Sequence, residues 1–346
     1  MERRMPAPPP SHLTPQRFAR VLLVLSAVLV AAVIGSAMIG SEHIDLRHAL
    51  FGGSEGNVDA LILLRIRLPR ALMAVVVGGA LAAAGAVLQA LLRNPLAEPH
   101  LLGVSGGAAF GGVLALIAVG ATGALPAFLV PVGSFAGALT AMVVVYRLGT
   151  VHGRLQPYTF LLAGVVCNAF TGALIMALNA FADFFQAHGI LFWLMGSLQT
   201  QSYWLVAASA VYLVAGVLWL LRHTREFNVL SLGEESAAQL GIDVGRVRRV
   251  AFAVSSLLVG AAVSVSGMIG FVGLIVPHVT RLLIGADYRL LLPASVLIGG
   301  TFLVLADTVA RSAFGASEIP VGVVTALCGG PFFIYLLRRE GGRTVD

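Results

Sequence analysis

The chain has no lysine: all 22 basic residues among its 346 are arginines. A Walker A loop needs its Lys to hold nucleotide phosphates, so this chain cannot grip ATP with that device. If ATP drives its activity, another subunit binds the nucleotide. Charge of either sign is scarce, at 11% of residues, and cysteine is limited to Cys167 and Cys328. Both cysteines lie inside apolar runs, which excludes a disulfide framework and a zinc site of the usual spacing. They read as small packing residues. The eight histidines are scattered without HExxH or paired-ligand spacing, and no catalytic constellation or cofactor motif emerges.

Apolar sequence is what the chain has in quantity. Hydrophobic residues make up 58% and the mean hydropathy is +0.93. Runs free of Asp, Glu and Arg cover Val21–Ser41, Ala71–Leu92, Pro99–Tyr146, Leu155–Ala182, Phe184–Leu221, Val250–Thr280, Leu290–Ala306 and Ile319–Leu337. About 20 apolar residues cross a bilayer core, and several runs hold two such lengths. A net charge of +6 and a pI near 10.0 would suggest nucleic acid in a soluble protein. Here the arginines flank apolar spans, so they report membrane topology. The reading is an all-α polytopic protein whose solvent is the lipid bilayer. Its single transmembrane domain, 21–340, lies between a Pro-rich tail, 1–20, with no composition for a core, and a short tail, 341–346. The first run, Val21–Gly40, follows Arg3, Arg4, Arg17 and Arg20. It exceeds the roughly 7–15 residues of a signal h-region and reads as an uncleaved first helix.

Breakers at Gly120–Pro126, Gln199–Ser202 and Gly267–Gly273 split the longer runs. About ten crossings result: 21–40, 71–92, 101–119, 126–147, 158–182, 203–221, 250–268, 272–284, 290–308 and 320–337. The segment 272–284 and an extra re-entrant piece, 190–198, are short. Irregular backbone at membrane depth survives only where protein or water covers it, so both should line the bundle interior or the outer mouth. With the N-terminus inside, 17 of the 22 arginines fall on inner segments and five outside: Arg47, Arg65, Arg67, Arg70 and Arg311. That is a strong positive-inside bias, and an even number of crossings puts the C-terminus inside as well.

Val77–Gly85 aligns without gaps to Val259–Gly267, and the same offset brings Pro95 onto Pro277 and Gly103 onto Gly285. The two copies run in opposite directions, as in a transporter's inverted repeat. Small apolar residues also align by chance, and both readings stay open. Gly103/Gly107, Gly107/Gly111 and Gly133/Gly137 have small-xxx-small spacing, which reads as close bundle packing. Polar side chains within spans are few: Gln89, Asn168, Asn179 and Asp307. Asp307 stands four residues before Arg311, so the pair shares a helical face and looks structural. A proton-driven carrier would need an isolated acid in its pathway, and the spans hold no second one. His278, after Pro277, reads as a structural hydrogen-bonding group. His188, beside the re-entrant piece, is the better candidate to face a metal chelate.

Four segments are specific when taken together: Arg93–Gly107, a proline-kinked turn entering a Gly-rich helix; Leu232–Gly241; Gly267–Arg281; and Ala306–Arg311, leading through Glu318–Gly322 to Gly329–Phe332. In this order the chain resembles the FecCD/BtuC-type permeases, the membrane subunits of ABC importers for iron–siderophores, haem and cobalamin. The resemblance runs from Arg67-Leu-Pro-Arg70 to the C-terminus. It implies ten spans, a homodimer in the bacterial inner membrane, two ATPase subunits below it and a soluble substrate-binding protein outside. It further implies that Leu230–Asp243 couples to the ATPase, with Leu230, Leu232, Ala237 and Leu240 as an apolar anchor, Glu234 and Glu235 meeting basic groups, and Gly233 and Gly241 among the coupling residues. Arg67, Arg70 and Arg311 match the arginines that dock the binding protein, and as exposed charges they should steer it more than hold it. Asn94 and Leu96, and Tyr158 and Thr159, match the inner gates. Pro157-Tyr158 departs from the smaller polar residues of relatives, and His100 replaces the commoner small residue of its loop. The cargo implied is an iron chelate, siderophore or haem, with cobalamin as the alternative. An ion-coupled secondary transporter, or a polytopic protein without transport, is the rival of another class.

The missing lysine generates the first prediction. The purified chain alone should show no saturable ATP turnover in a coupled phosphate-release assay, and turnover surviving removal of contaminating subunits would refute it.

Overall fold

The structure is a computed structural model that describes residues 13–40, 42, 44–51, 57–122, 128–151, 154–199, 202–313 and 318–341. Residues 1–12 of the Pro-rich tail, with Arg3 and Arg4, residues 342–346 of the other tail, with Arg343, residues 123–126 of one breaker and 200–201 of another lie outside the described residues.

Without water in a bilayer core, each backbone N–H and C=O must be satisfied within its own segment, and the apolar runs accordingly form helices. In chain order, α1 (Pro15–Met38) precedes the short α2 (Leu46–Phe51) and α3 (Val58–Leu61). The last continues through a π-helical stretch, Ile62–Arg67, into α4 (Leu68–Leu91). A turn with a 3-10 segment at Pro99–Leu102 leads to α5 (Val104–Thr122) and α6 (Leu129–Gly149). A two-residue antiparallel pair, Thr150–Val151 with Arg154–Leu155, turns the chain into α7 (Pro157–Phe181), α8 (Phe184–Leu194) and α9 (Tyr203–Arg222). Two short helices, α10 (Thr224–Leu230) and α11 (Glu234–Gln239), precede α12 (Val244–Ser266). The last three are α13 (Val272–Ile284), α14 (Tyr288–Ser312) and α15 (Val321–Gly341).

Seven helices are long and apolar enough to cross a membrane, with Val58–Leu91 counted as one. The shorter apolar helices Val104–Gly120, Val272–Ile284 and Val321–Leu336 occupy the other expected positions, so each of the ten segments is helical. Two boundaries differ from expectation. Helix α1 opens at Pro15, inside the stretch read as a tail, because Thr14 caps it by accepting from Arg17 N and proline suits a first turn. The re-entrant piece expected at 190–198 is instead Phe184–Leu194, started by the Asp183 carboxylate accepting from Gln186 N. Its Ile190 is fully buried while Phe184 and Phe185 are exposed, so one face alone points into the bundle. Helix α13 behaves as expected of an interior piece, with Val272–Pro277 buried. Cys328 is exposed, so it does not serve as a packing residue within this chain.

Helix α4 is the axis of the bundle, with α9, α12, α13 and α14 packed around it. From Ala74 to Leu91 all its residues but Val75 are buried. Lipid tails are as apolar as side chains, so close van der Waals packing has to hold such helices together. Glycines allow it here. A Cβ on Gly78 would stand 2.2 Å from the Gly299 carbonyl oxygen of α14, and one on Gly85 would stand 2.0 Å from the Gly273 oxygen of α13. The small-xxx-small spacing of α5 meets that of α6 in the same way, Gly107 on Gly137 and Gly111 on Gly133. This spacing therefore serves packing within the chain.

The repeat offset maps α4, the Pro99–Leu102 turn and α5 in order onto α12, α13 and α14. Gly103 and Gly285 both adopt left-handed φ, 78° and 104°. The aligned positions do different jobs, however: Gly85 meets Gly273, whereas Gly267 is a left-handed helix terminus against the Trp193 carbonyl.

Substituting Gly85→Val should destabilise the chain by about 1–3 kcal/mol or more, as core overpacking does, and lower its thermal midpoint in detergent. Gly35→Ala on α1, where an added Cβ would meet nothing within 4 Å, should leave the midpoint unchanged or raise it slightly. Equal midpoints for wild type and Gly85→Val would remove the close-approach argument.

Candidate functional site

At one end of α4, three arginines are drawn inward. Arg67, Arg70 and Arg311 are only 4%, 6% and 5% exposed. Arg70 grips Asp307 through Nε, 3.0 Å from both carboxylate oxygens, and through Nη2 at 2.9 Å. Its Nη1 donates to Glu318 Oε2 at 2.8 Å, which also accepts from Gln199 Nε2 at 3.1 Å. Arg311 Nε lies 3.6 Å from the same Asp307, and its Nη2 donates to the Ser36 carbonyl and hydroxyl. Arg67 Nη1 donates to the Ala37 and Met38 carbonyls, each at 3.1 Å, and its Nη2 to the Glu42 carbonyl. A charge taken out of water must find partners or shift, and here α1, α4, α14 and the approach to α15 supply them. Burial would raise the Glu318 carboxyl, yet its hydrogen bond and charge contact with Arg70 take it below its ordinary value. The expectation that Arg67, Arg70 and Arg311 stand exposed is corrected: their guanidinium groups are spent on this chain's own oxygens. Exposed arginines at this end are Arg47 and Arg65. Asp307, read from the sequence as paired with Arg311, has Arg70 as its main partner.

At the opposite end, the short helices α10 and α11 form an elbow. The four apolar residues expected as one anchor are divided. Leu230 and Ala237 are fully buried and root the elbow, whereas Leu232 is 75% and Leu240 67% exposed. Gly233 and Gly241 bound α11 with φ of 132° and 78°, angles that favour glycine. The two acids are divided as well. Glu235 is exposed. Glu234 accepts from Arg248 Nη2 at 2.6 Å and lies 3.5 Å from Arg93 Nη2, which hold its carboxyl below the usual range, the Arg248 hydrogen bond foremost. Glu234 is therefore occupied within the chain.

Arg93 itself ends α4 in a left-handed conformation, φ 47°, where glycine is usual. Asn94, exposed, then holds the turn by accepting from Leu96 N at 2.9 Å, and Leu96 is half-buried. Tyr158, 80% exposed, and the half-buried Thr159 open α7. The two expected gate segments lie near each other, since Leu91, Leu92, Pro157 and Phe160 line one narrow cleft. Further along, Glu98 accepts from Phe271 N and so caps α13 from the α4–α5 turn. Phe271 needs the help, with φ of 67°. Asn168 accepts from Gly106 N at 3.1 Å and donates to the His100 carbonyl at 2.6 Å. Gln89 bonds Leu274 and Arg281. These polar groups within spans are structural stitches.

Sequence reasoning missed Arg93, Glu98, Arg248, Phe271 and Glu318 as joints. Glu98 carried a signal, as the last acid before a long uncharged stretch. Phe271 carried none, because its strained backbone is invisible in residue type. His188 is exposed, its ring 4.6 Å from that of Phe192 and 6.5 Å from that of Phe184. His278 sits edge-on to Phe332.

With this geometry in hand, the family model described as the FecCD transport family matches residues 23–339. The cobalamin import system permease protein BtuC of Halobacterium salinarum is 47% identical over 284 residues, 81% of this chain and 74% of that one. The hemin transport system permease protein HmuU of Yersinia pestis is 44% identical over 289 residues, 81% of this chain and 84% of that one. A solved metal-chelate type ABC transporter in an inward-facing conformation superposes with a TM-score of 0.79 at 33% identity, covering 93% of this chain and 99% of that one. The chain belongs to the FecCD transport family. It is a multi-pass membrane protein of the ABC permease class.

Removing the shared carboxylate tests the buried cluster. Asp307→Ala leaves Arg70 and Arg311 without their common counter-charge, and breaking a buried pair typically costs about 3–5 kcal/mol. The thermal midpoint in detergent should fall accordingly, while Arg65→Ala, at an exposed position, should stay within about 0.5 kcal/mol of wild type.

Proposed function

We propose that this chain is the membrane-spanning subunit of an ATP-driven, binding-protein-dependent importer of a metal chelate, working as a homodimer with two ATPase subunits. The observation that carries this is the elbow of α10 and α11, rooted by Leu230 and Ala237 yet presenting Leu232 and Leu240. Large apolar side chains exposed beside polar neighbours mark a partner contact. Its joint with Arg93, next to Asn94 and Leu96, gives a partner's movement a route to the gate turn. The arginine distribution supports placing this end, and both termini, in the cytoplasm.

The opposite end would receive the binding protein. Arg47 and Arg65 supply reachable positive charge there, while Arg67, Arg70 and Arg311 hold the helix ends that shape the face. We place an iron chelate first among cargoes. The exposed His188 with Phe184, Phe185 and Phe192 offers a metal-seeking group among flat apolar rings, and the hemin permease relative supports this reading. The relative named for cobalamin supports the alternative equally. The deciding experiment reconstitutes the chain with its ATPase and binding protein in proteoliposomes. Stimulation of ATP hydrolysis by binding protein loaded with an iron chelate is expected. Stimulation by loaded cobalamin alone would move the cargo to the alternative, and ion-gradient-driven uptake without ATP would overturn the class.

Coupling has its own test. Glu235→Arg should set like charges against a basic partner rim, an arrangement that costs several kcal/mol, and weaken co-purification of the ATPase. Glu234→Gln should leave that assembly largely intact but uncouple hydrolysis from transport, because it loosens the elbow from Arg93 and Arg248. Wild-type transport in both variants would sink the coupling role.

A further inference from the structure

Where α6 ends and α12 begins, a groove of about 270 Å³ opens between the two helices. Met142 and Val143 of α6 and Phe252 of α12 give it an apolar floor, and Tyr146 adds a ring with a polar tip. Arg147 and Arg249 also line it, one from each helix. Both are exposed, and neither guanidinium has a hydrogen bond or ion pair among the described residues. Their neighbour Arg248 shows the contrast: it is buried and bonded to Glu234. No acidic side chain lines the groove. It is thus a largely apolar slot on a membrane-spanning bundle, lined also by two cations that have no ion pair among the described residues.

The geometry points to this groove as a binding site for one anionic phospholipid, its phosphate bridging Arg147 and Arg249 and part of an acyl chain lying on Met142, Val143 and Phe252. Guanidinium groups present forked donors that suit phosphate oxygens, and charge-assisted bonds of this kind are the strong ones. Basic pockets between spans attract anionic headgroups, and tyrosine favours the membrane–water boundary. The apolar floor selects a lipid over free phosphate, since inorganic phosphate would leave it uncovered. Such a site needs only the membrane placement and stands apart from any cargo or coupling role.

The test uses the full chain in neutral detergent with equimolar phosphatidylglycerol and phosphatidylcholine, read by native mass spectrometry. Wild type should retain one phosphatidylglycerol in preference to phosphatidylcholine. Arg147→Gln or Arg249→Gln should weaken that preference about fivefold, and the double variant roughly thirtyfold. Arg222→Gln, an exposed charge outside the groove, should leave it unchanged, and Met142→Trp should lower retention by filling the floor. Inorganic phosphate at matched concentration should not displace the lipid. Equal retention of both lipids, an equal effect of Arg222→Gln, or displacement by phosphate alone would overturn the proposal. A second readout is spin-labelled phosphatidylglycerol in nanodiscs holding the chain with its ATPase. Immobilised label lost in Arg147→Gln/Arg249→Gln supports the site, and no immobilised label in wild type overturns it.

Discussion

The contact of α4 with the backbones of α13 and α14 is the constraint from which the rest of the bundle follows. Gly78 and Gly299 bring two helices to carbonyl distance, and Gly85 and Gly273 do the same with a third. In water such a helix, apolar all round, would be driven inside by hydrophobic burial. In lipid that force is absent between helices, and contact area has to replace it. Small residues maximise the area, which is why α4 reads Gly-Gly-Ala-Leu-Ala-Ala-Ala-Gly where it is most deeply enclosed. The position of α13, too short to span alone, follows from the same contact. It is held against α4 by Gly273 and capped by Glu98 from the turn that α4 enters.

Charge then sets what glycine packing cannot, the register of helix ends. Close-packed small residues slide past one another with little preference, but a buried guanidinium finds its oxygens in one place. Arg70 fixes α4 to α14 and to the approach of α15, Arg311 fixes α14 to α1, and Arg67 fixes the π-helical stretch to the end of α1. A buried ion pair is weak evidence for stability against a well-packed apolar substitute. Its value here is specification, because a slip of one residue would leave three cations in an apolar bundle.

Much of this is legible in the sequence, and unevenly. The ten spans follow from run length and breakers alone, since lipid allows few alternatives to a helix. The short α13 is legible because the breaker at Gly267–Gly273 interrupts the apolar run ahead of it. Helix α8 begins earlier than the piece expected at 190–198, because Asp183 looks like the end of one run and acts as the cap of the next. The elbow is legible as a unit, but the two acids that open α11 look alike in sequence. Only the fold shows that Glu234 faces Arg248 and Glu235 faces outward. The three arginines stand out by lying on the minority side of the sequence count. Their burial is not legible, because residue type at a helix end does not say whether an acid waits across the bundle. Asp307 sits 237 positions from Arg70, and no local pattern connects them.

Internal pairing also changes how the arginine distribution should be weighed. Counted along the sequence, the two ends differ by number. Weighed by what is free, they differ in kind. At the end of Asp307, three of the five arginines are neutralised or saturated by the chain itself, leaving Arg47 and Arg65 to act on the surroundings. At the end of Glu234, that acid engages Arg93 and Arg248 and Asp287 engages Arg289, while Arg147, Arg222, Arg225, Arg246 and Arg249 remain exposed. A positive-inside bias acts through charges that meet lipid headgroups and the membrane surface potential, and buried pairs do neither. The asymmetry that would orient this chain is therefore sharper in the folded protein than in its sequence, because burial silences arginines chiefly on the side that already has few.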